Sequence, residues 1–286
     1  MNALPPQAPT LSAIARSTSV ASAERVLPDG ASVSITEVVA EEVPVALVYN
    51  NISHAVMMAT PADLSDFGLG FSLSEGILAG KDEMLDIGTA ESEAGIEVRM
   101  AISLERFRLL RERRRTLAGR TGCGICGVES LEQAVRPVPP VAATTTVPIE
   151  AIYAALAELP QRQAVNQLTR SVHAAAWVNR SGQIQLARED VGRHNALDKL
   201  IGAMAWRGLD PAEGYALITS RCSVELVQKA AAVGIPVLVA ISAPTALARR
   251  MAEGCGLTLV ALARPDSVLV VTCPERITRA MLAADQ

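Results

Sequence analysis

The chain has 286 residues, half of them hydrophobic and only 3% aromatic, with a formal net charge of −4. That length supports one large domain or two moderate ones with real cores, and a core so poor in aromatics must be built from Ala, Val, Leu and Ile. The charge excludes a global nucleic-acid signature, five cysteines are too few and odd in number for a disulfide scaffold, and no apolar run approaches the roughly 20 residues of a membrane span.

Residues 1–22 are rich in Ala, Ser, Thr and Pro and lack the charged and apolar regions of a signal peptide. They are expected to have no fixed structure, and the cysteine usage fits a reducing cytoplasm. From Ala31 to Tyr49 the β-branched pattern predicts two strands joined at Glu41-Glu42. Thr60-Pro61-Ala62-Asp63 reads as a helix start, with a capping hydroxyl, a first-turn proline and an acid. That helix would bury Leu64, Phe67 and Phe71, bring Gly68 and Gly70 close to another backbone, and stop near Gly80. Ile96 to Ile102 alternates as a half-buried strand, and a basic helix from Ser103 to about Leu117 follows. Pro137, Pro139 and Pro140 make the best linker. The expected organisation is therefore a tail over 1–22, an N-terminal α+β unit over 23–140 and a second unit over 141–286.

The second half alternates more regularly. A helix is predicted over Pro148–Leu159, then a hairpin of His173–Val178 and Gln183–Arg188, and a helix from Gly192 to Arg207. Strand Tyr215–Thr219, helix Ser223–Val233, strand Ile235–Ile241, helix Thr245–Glu253, strands Leu257–Ala263 and Val268–Thr272, and a final helix complete it. Strands spaced by single helices imply an α/β architecture with a parallel or mixed sheet.

The chemistry centres on Gly119-Arg120-Thr121-Gly122-Cys123-Gly124-Ile125-Cys126-Gly127. Its glycines favour a loop. Arg120, Arg111 and Arg113–Arg115 nearby favour the thiolate, the nucleophilic form of cysteine. Structural zinc would need two more ligands, whereas Cys222, Cys255 and Cys273 are scattered and His54, His173 and His194 are isolated from one another. Sulfur transfer or redox chemistry is favoured over zinc.

A second polar stretch runs Glu189-Asp190-Val191-Gly192-Arg193-His194-Asn195-Ala196-Leu197-Asp198-Lys199. Asp190 reads as a helix cap and Asp198-Lys199 as a wet helix face. Arg193, His194 and Asn195 at the first turn point to an anion site with an imidazole able to move protons. His173 lies in an apolar strand, and position 175 is Ala where a zinc deaminase would carry its glutamate. Ser220-Arg221-Cys222-Ser223 and Ser242-Ala243-Pro244-Thr245 each follow a strand and open a helix. Both suit helix capping or phosphate binding. Arg264-Pro265-Asp266-Ser267 is a turn between strands, and no Walker or G-x-G-x-x-G motif is present.

Taken together, TPADLSDFGLGFSLSEGIL, GRTGCGICG, SVHAAAW, EDVGRHNALDKLIG and SVELVQKAAAVGIPVLVAISAPTALA resemble the FdhD (FdhD/NarQ) family of formate dehydrogenase accessory sulfurtransferases, over about residues 30–275. The resemblance implies a cytidine-deaminase-like three-layer second domain and a homodimer. It also implies a cysteine desulfurase that hands sulfane sulfur to Cys123. The persulfide would then sulfurate Mo-bis(molybdopterin guanine dinucleotide) before that cofactor enters formate dehydrogenase. Cys126 would accept or release sulfur beside it. The guanine-dinucleotide segment falls on Leu262, Ala263, Arg264, Pro265, Asp266 and Ser267, and Arg120, Arg193, Arg221 and Arg264 are candidates for its phosphates. No permanent metal, nucleic-acid partner or membrane is expected. The alternatives are a zinc-dependent deaminase-like hydrolase and a non-catalytic cofactor-carrying chaperone.

Overall fold

A computed structural model describes residues 11–118, 137–142 and 144–279. Cys123, Cys126 and Arg120 lie outside the described residues. The chain opens with α1 (Leu11–Arg16), followed by β1 (Thr18–Val26) and β2 (Ser32–Ala40), which pair antiparallel from Thr18↔Ala40 to Val26↔Ser32. The expectation of no fixed structure as far as residue 22 therefore fails from Leu11 onward. Local composition argued for disorder, but the β-branched Val33, Ile35 and Val38 of β2 give the serine-rich segment a partner.

A four-stranded sheet follows, built from β3 (Val43–Tyr49), β4 (Ile52–Ala59), β5 (Met84–Ser92) and β6 (Gly95–Ile102) in the order β4-β3-β6-β5. β3 and β6 are parallel, and the edge strands run antiparallel to them. Asn50 and Asn51, both at positive φ, make the tight β3–β4 turn. Helix α2 (Leu64–Ser74) lies against this sheet and buries Leu64, Phe67, Leu69 and Phe71 with Tyr49, Val98 and Met100. It begins at Leu64, later than the Thr60-Pro61 signal suggests, because Thr60 is drawn into tertiary bonds. It ends before Gly76, at φ +64, and not at Gly80. The basic helix is α3 (Leu104–Ala118).

Beyond Pro137, β7 (Val147–Pro148), α4 (Ile149–Glu158) and α5 (Ala164–Thr169) lead to a six-stranded sheet. Its elements are β8 (His173–Asn179), β9 (Ile184–Asp190), α6 (Arg193–Trp206), β10 (Gly214–Ile218), α7 (Val224–Ala232), β11 (Val237–Ala240), α8 (Ala246–Cys255), β12 (Thr258–Ala261) and β13 (Leu269–Val270). The order is β13-β12-β11-β10-β8-β9, with β10, β11 and β12 parallel. The strand order marches 10, 11, 12 without reversing, so crossovers of one hand put α7 and α8 on one face. α6 joins them there. Alternation along the strands assigns the two faces: Ala175, Trp177, Ala216, Ile218, Leu238 and Ala240 face these helices. Ala176, Val178, Tyr215, Leu217, Val237 and Val239 pack instead with Ala151, Ile152 and Ala155 of α4. The result is a three-layer α/β unit, with α2 and the smaller sheet stacked outside α6.

The closing helix predicted after Thr272 is not found among the described residues. Cys273 sits at φ +46, Pro274–Arg276 make one 3₁₀ turn, and β14 (Ile277–Thr278) pairs parallel with β7. Also among the described residues, no helix is long and apolar enough to cross a membrane.

The α2–α6 crossing is close enough to exclude side chains. A Cβ on Gly70 would stand 1.7 Å from the Asp198 carbonyl oxygen, and one on Gly202 would stand 1.9 Å from that of Asp66. The backbone approach predicted for Gly70 is thus found, whereas Gly68 faces the side chains of Val98, Ile87 and Met100.

Candidate functional site

The parallel strands β10, β11 and β12 all end at the same edge of the sheet, so their following loops collect there. Thr219–Ser223 follows β10, Ile241–Thr245 follows β11, and Leu262–Ser267 follows β12. Backbone bonds lace these loops together. Cys222 N donates to Ala243 O at 3.2 Å, Thr245 N to Cys222 O at 3.0 Å, and Leu262 N to Ser242 O at 3.2 Å. The β12–β13 turn closes with Arg264 N donating to Ser267 O at 2.9 Å. Leu262 adopts φ +48 as the chain leaves β12. Thr245 caps α8, its hydroxyl accepting from Ala248 N at 3.1 Å, so the capping reading holds for it.

β8 runs antiparallel to β10, so it enters at this edge. Its first residue, His173, pairs in register with Asp190, the last residue of β9. The first turn of α6 therefore opens at the same place. Topology thus gathers Arg193, His194, Arg221, Ser242, Thr245 and Leu262–Ser267 at one sheet edge. Arg221, Arg264, Pro265, Asp266 and Ser267 are exposed there, while Ala263 is buried.

Arg193 is the distinctive member. Its Nε is buried and has no hydrogen-bond partner among the described residues. Its guanidinium lies near His173 and His194. Burial first, and then Arg193, holds both imidazoles below their ordinary pKa, His194 at about 4. The imidazole expected to shuttle protons near neutrality is instead a fixed neutral group. His194 Nε2 lies 3.3 Å from Ser223 Oγ and 3.6 Å from Glu225 Oε2. Serine and carboxylate meet the same ring nitrogen, so the trio lacks the relay geometry of a hydrolytic triad, which uses both nitrogens.

Beneath this turn runs buried polar wiring that sequence reasoning missed. Asp190 and Lys199 are both fully buried and lie 2.6 Å apart. Asp198, also fully buried, accepts from Ser74 Oγ at 2.6 Å and from Lys229 Nζ at 2.8 Å, and Lys229 reaches Glu75 at 2.8 Å. The predicted wet face of Asp198-Lys199 is thus overturned: α2 covers it. The available signal was the apolar run around the pair, Ala196-Leu197 and Leu200-Ile201, which marks a helix buried all round. Asp190 does not cap by the expected simple geometry. Gly192 is the N-cap, and Asp190 Oδ1 accepts from its N–H at 2.7 Å.

Cys222 is fully buried, and burial pushes its thiol up to about 12, which removes it as a nucleophile. Burial also raises Cys255 and Cys273. Among the described residues no three His, Cys, Asp or Glu side chains converge as metal ligands.

The larger unit is thus a three-layer α/β fold that gathers helix N-termini and arginines at the carboxyl edge of its parallel strands, the edge at which open α/β sheets commonly take ligands. Residues 40–278 match the FdhD/NarQ family, and the chain belongs to it. A relative from Cupriavidus necator, named Sulfur carrier protein FdhD, is 54% identical over 239 residues, covering 84% of this chain and 83% of the relative. One of the same name from Bordetella bronchiseptica is 50% identical over 242 residues, covering 84% and 87%. The crystal structure of a protein from Desulfotalea psychrophila, described as a formate dehydrogenase accessory protein, superposes with a TM-score of 0.71 at 25% identity. The match covers 91% of this chain and 99% of that one.

Proposed function

We propose that this protein is a sulfur carrier in formate dehydrogenase maturation, with Cys123 taking sulfur as a persulfide and the sheet-edge loops holding the molybdenum cofactor that receives it. Family membership and the sulfur-carrier relatives support the role. One observation supports the cofactor site above the rest: the buried Nε of Arg193, without a hydrogen-bond partner among the described residues, at an edge where three loops and the α6 turn meet. A buried donor without an acceptor is costly, and a phosphate oxygen would satisfy it. Arg221 and Arg264 stand exposed in neighbouring loops to take further phosphates of a guanine dinucleotide. Neutral His194 and the hydroxyls of Ser242 and Thr245 add hydrogen bonds without adding charge.

The sulfur step follows from thiol chemistry. The Cys123 thiolate attacks the outer sulfur of a desulfurase persulfide, the new S–S bond forms on Cys123, and the desulfurase leaves as its thiolate. Cys126, three positions on, is placed in sequence to take over or release that sulfur. Cys123 is the better carrier because burial pushes the Cys222 thiol up to about 12 and also raises those of Cys255 and Cys273, which disfavours the thiolate at each.

The test is mass spectrometry after incubation with a cysteine desulfurase and cysteine. One sulfur mass is expected on the Cys123 peptide, removable by reductant and absent from Cys123→Ala. No gain at Cys123, or a Cys123→Ala protein that still supports formate dehydrogenase maturation, would favour a passive chaperone.

A further inference from the structure

The wiring under the α6 turn crosses between layers. Thr60 lies in the connection from β4 to α2, 130 residues before Asp190, and its N–H donates to Asp190 Oδ2 at 3.1 Å. Its carbonyl accepts from Lys199 Nζ at 2.9 Å, and its hydroxyl accepts from Val191 N at 3.1 Å. Asp190 uses its other oxygen on Gly192 N at 2.7 Å and on Asn195 Nδ2 at 3.0 Å. Asn195 Nδ2 also donates to Met58 O at 2.8 Å. A Cβ on Gly192 would meet that amide nitrogen at 2.7 Å. The turn Val191-Gly192-Arg193 is thus gripped by Thr60, just past β4, and by the buried Asp190–Lys199 pair, while Met58 of β4 holds Asn195 one residue beyond His194.

We propose that Thr60 and Asp190 are positioning residues for the sheet-edge site, so that the N-terminal layer sets how tightly α6 grips an anionic ligand through Arg193. The proposal rests on the reading that this edge binds the phosphates of a guanine dinucleotide. Its physical basis is preorganisation. A charged side chain on a turn locked by satisfied buried bonds loses little freedom on binding, and a loosened turn must be ordered by the ligand.

Thr60→Val is the informative change, because it keeps shape and both backbone contacts and deletes only the acceptor for Val191 N–H. Asp190→Asn would strand the buried Lys199 ammonium and is less suited, since such a protein is prone to fail in folding. Guanosine diphosphate serves as the probe, in titration calorimetry on the full chain. Thr60→Val should weaken binding by about 3- to 10-fold, the worth of one ordinary hydrogen bond, and Thr60→Ser should restore it. The second readout is the His194 imidazole by NMR. It is enclosed by Arg193, Ser223, Glu225 and Lys229 and held near pKa 4, and it should titrate upward in Thr60→Val as the turn opens to water. Arg188→Met is the control, since Arg188 pairs with Asp66 across the same layers at 2.7 Å. It should lower stability while leaving affinity and the His194 titration unchanged. Equal effects of Thr60→Val and Arg188→Met, or unchanged affinity in Thr60→Val, would overturn the proposal. A wild-type chain that binds no guanosine diphosphate would instead remove the sheet-edge reading itself, and the positioning role with it.

Discussion

His194 shows how one side chain's surroundings set its chemistry. Burial, aided by Arg193, places its folded pKa at about 4, below the ordinary 6.5. The unfolded chain therefore takes up a proton that the fold refuses. Stability contributed by this group is present above pH 6.5 and is lost as pH falls toward 4. The expected loss over that window is about 2–3 kcal/mol, at roughly 1.4 kcal/mol per pH unit of displacement. Urea denaturation at pH 7 and pH 4.5 would check it: wild type should lose more stability than His194→Gln, whose curve lacks this proton. Burial raises Asp66 and Glu189, which works in the opposite direction, but both groups are common to the two proteins and cancel in the difference. Equal pH dependence in the two proteins would mean that the imidazole is solvated as in the unfolded chain.

Helices α2 and α6 meet through glycine, and that contact makes a prediction at the scale of elements. Gly70→Ala or Gly202→Ala drives a methyl into a backbone carbonyl, at 1.7 Å and 1.9 Å respectively. Backbone cannot give way as a side-chain tip can, so a loss of at least about 3 kcal/mol is expected. Gly254, late in α8, has nothing within 4 Å of the equivalent position, and Gly254→Ala should be neutral or stabilising by about 0.5 kcal/mol. Urea midpoints of the three variants would check the contrast, and equal effects would argue against this crossing. The same elements show what sequence can carry. Gly70 announced a close backbone, and the β8–β9 hairpin, α6, α7 and α8 follow from local periodicity and caps. β4 and β5 escaped notice because their burial depends on neighbours: Val56 and Met58 remain exposed, and β5 buries only Met84. The sheet-edge gathering of Arg193, Arg221 and Arg264 was legible loop by loop, but not the grip of Thr60 on Asp190, which joins residues 130 positions apart.

Across the whole molecule, a second buried cluster, apart from the Thr60–Asp190–Lys199 wiring, fastens the smaller layer to the larger. Lys229 of α7 bonds Asp198 of α6 at 2.8 Å, together with Ser74 and Glu75 at the end of α2, and its ammonium lies 5.2 Å from the Phe71 ring centroid. Burial works to release its proton, but the carboxylates of Asp198 and Glu75 outweigh that and hold Lys229 charged. Three helices thus share one desolvated charge system. Lys229→Met would leave Asp198 buried with Ser74 as its one bonded partner among the described residues, at an expected cost of about 3–5 kcal/mol. Removing both charges in Lys229→Met with Asp198→Leu should recover much of that loss, because desolvation of the pair is relieved together with its attraction. The buried pair is shielded from counterions, so the Lys229→Met penalty should hardly change between low and high salt. Chemical denaturation of the two single variants and the double variant, at two ionic strengths, supplies the full cycle. A penalty that shrinks markedly with salt would place this cluster in water and would remove it as a buried fastening between the layers.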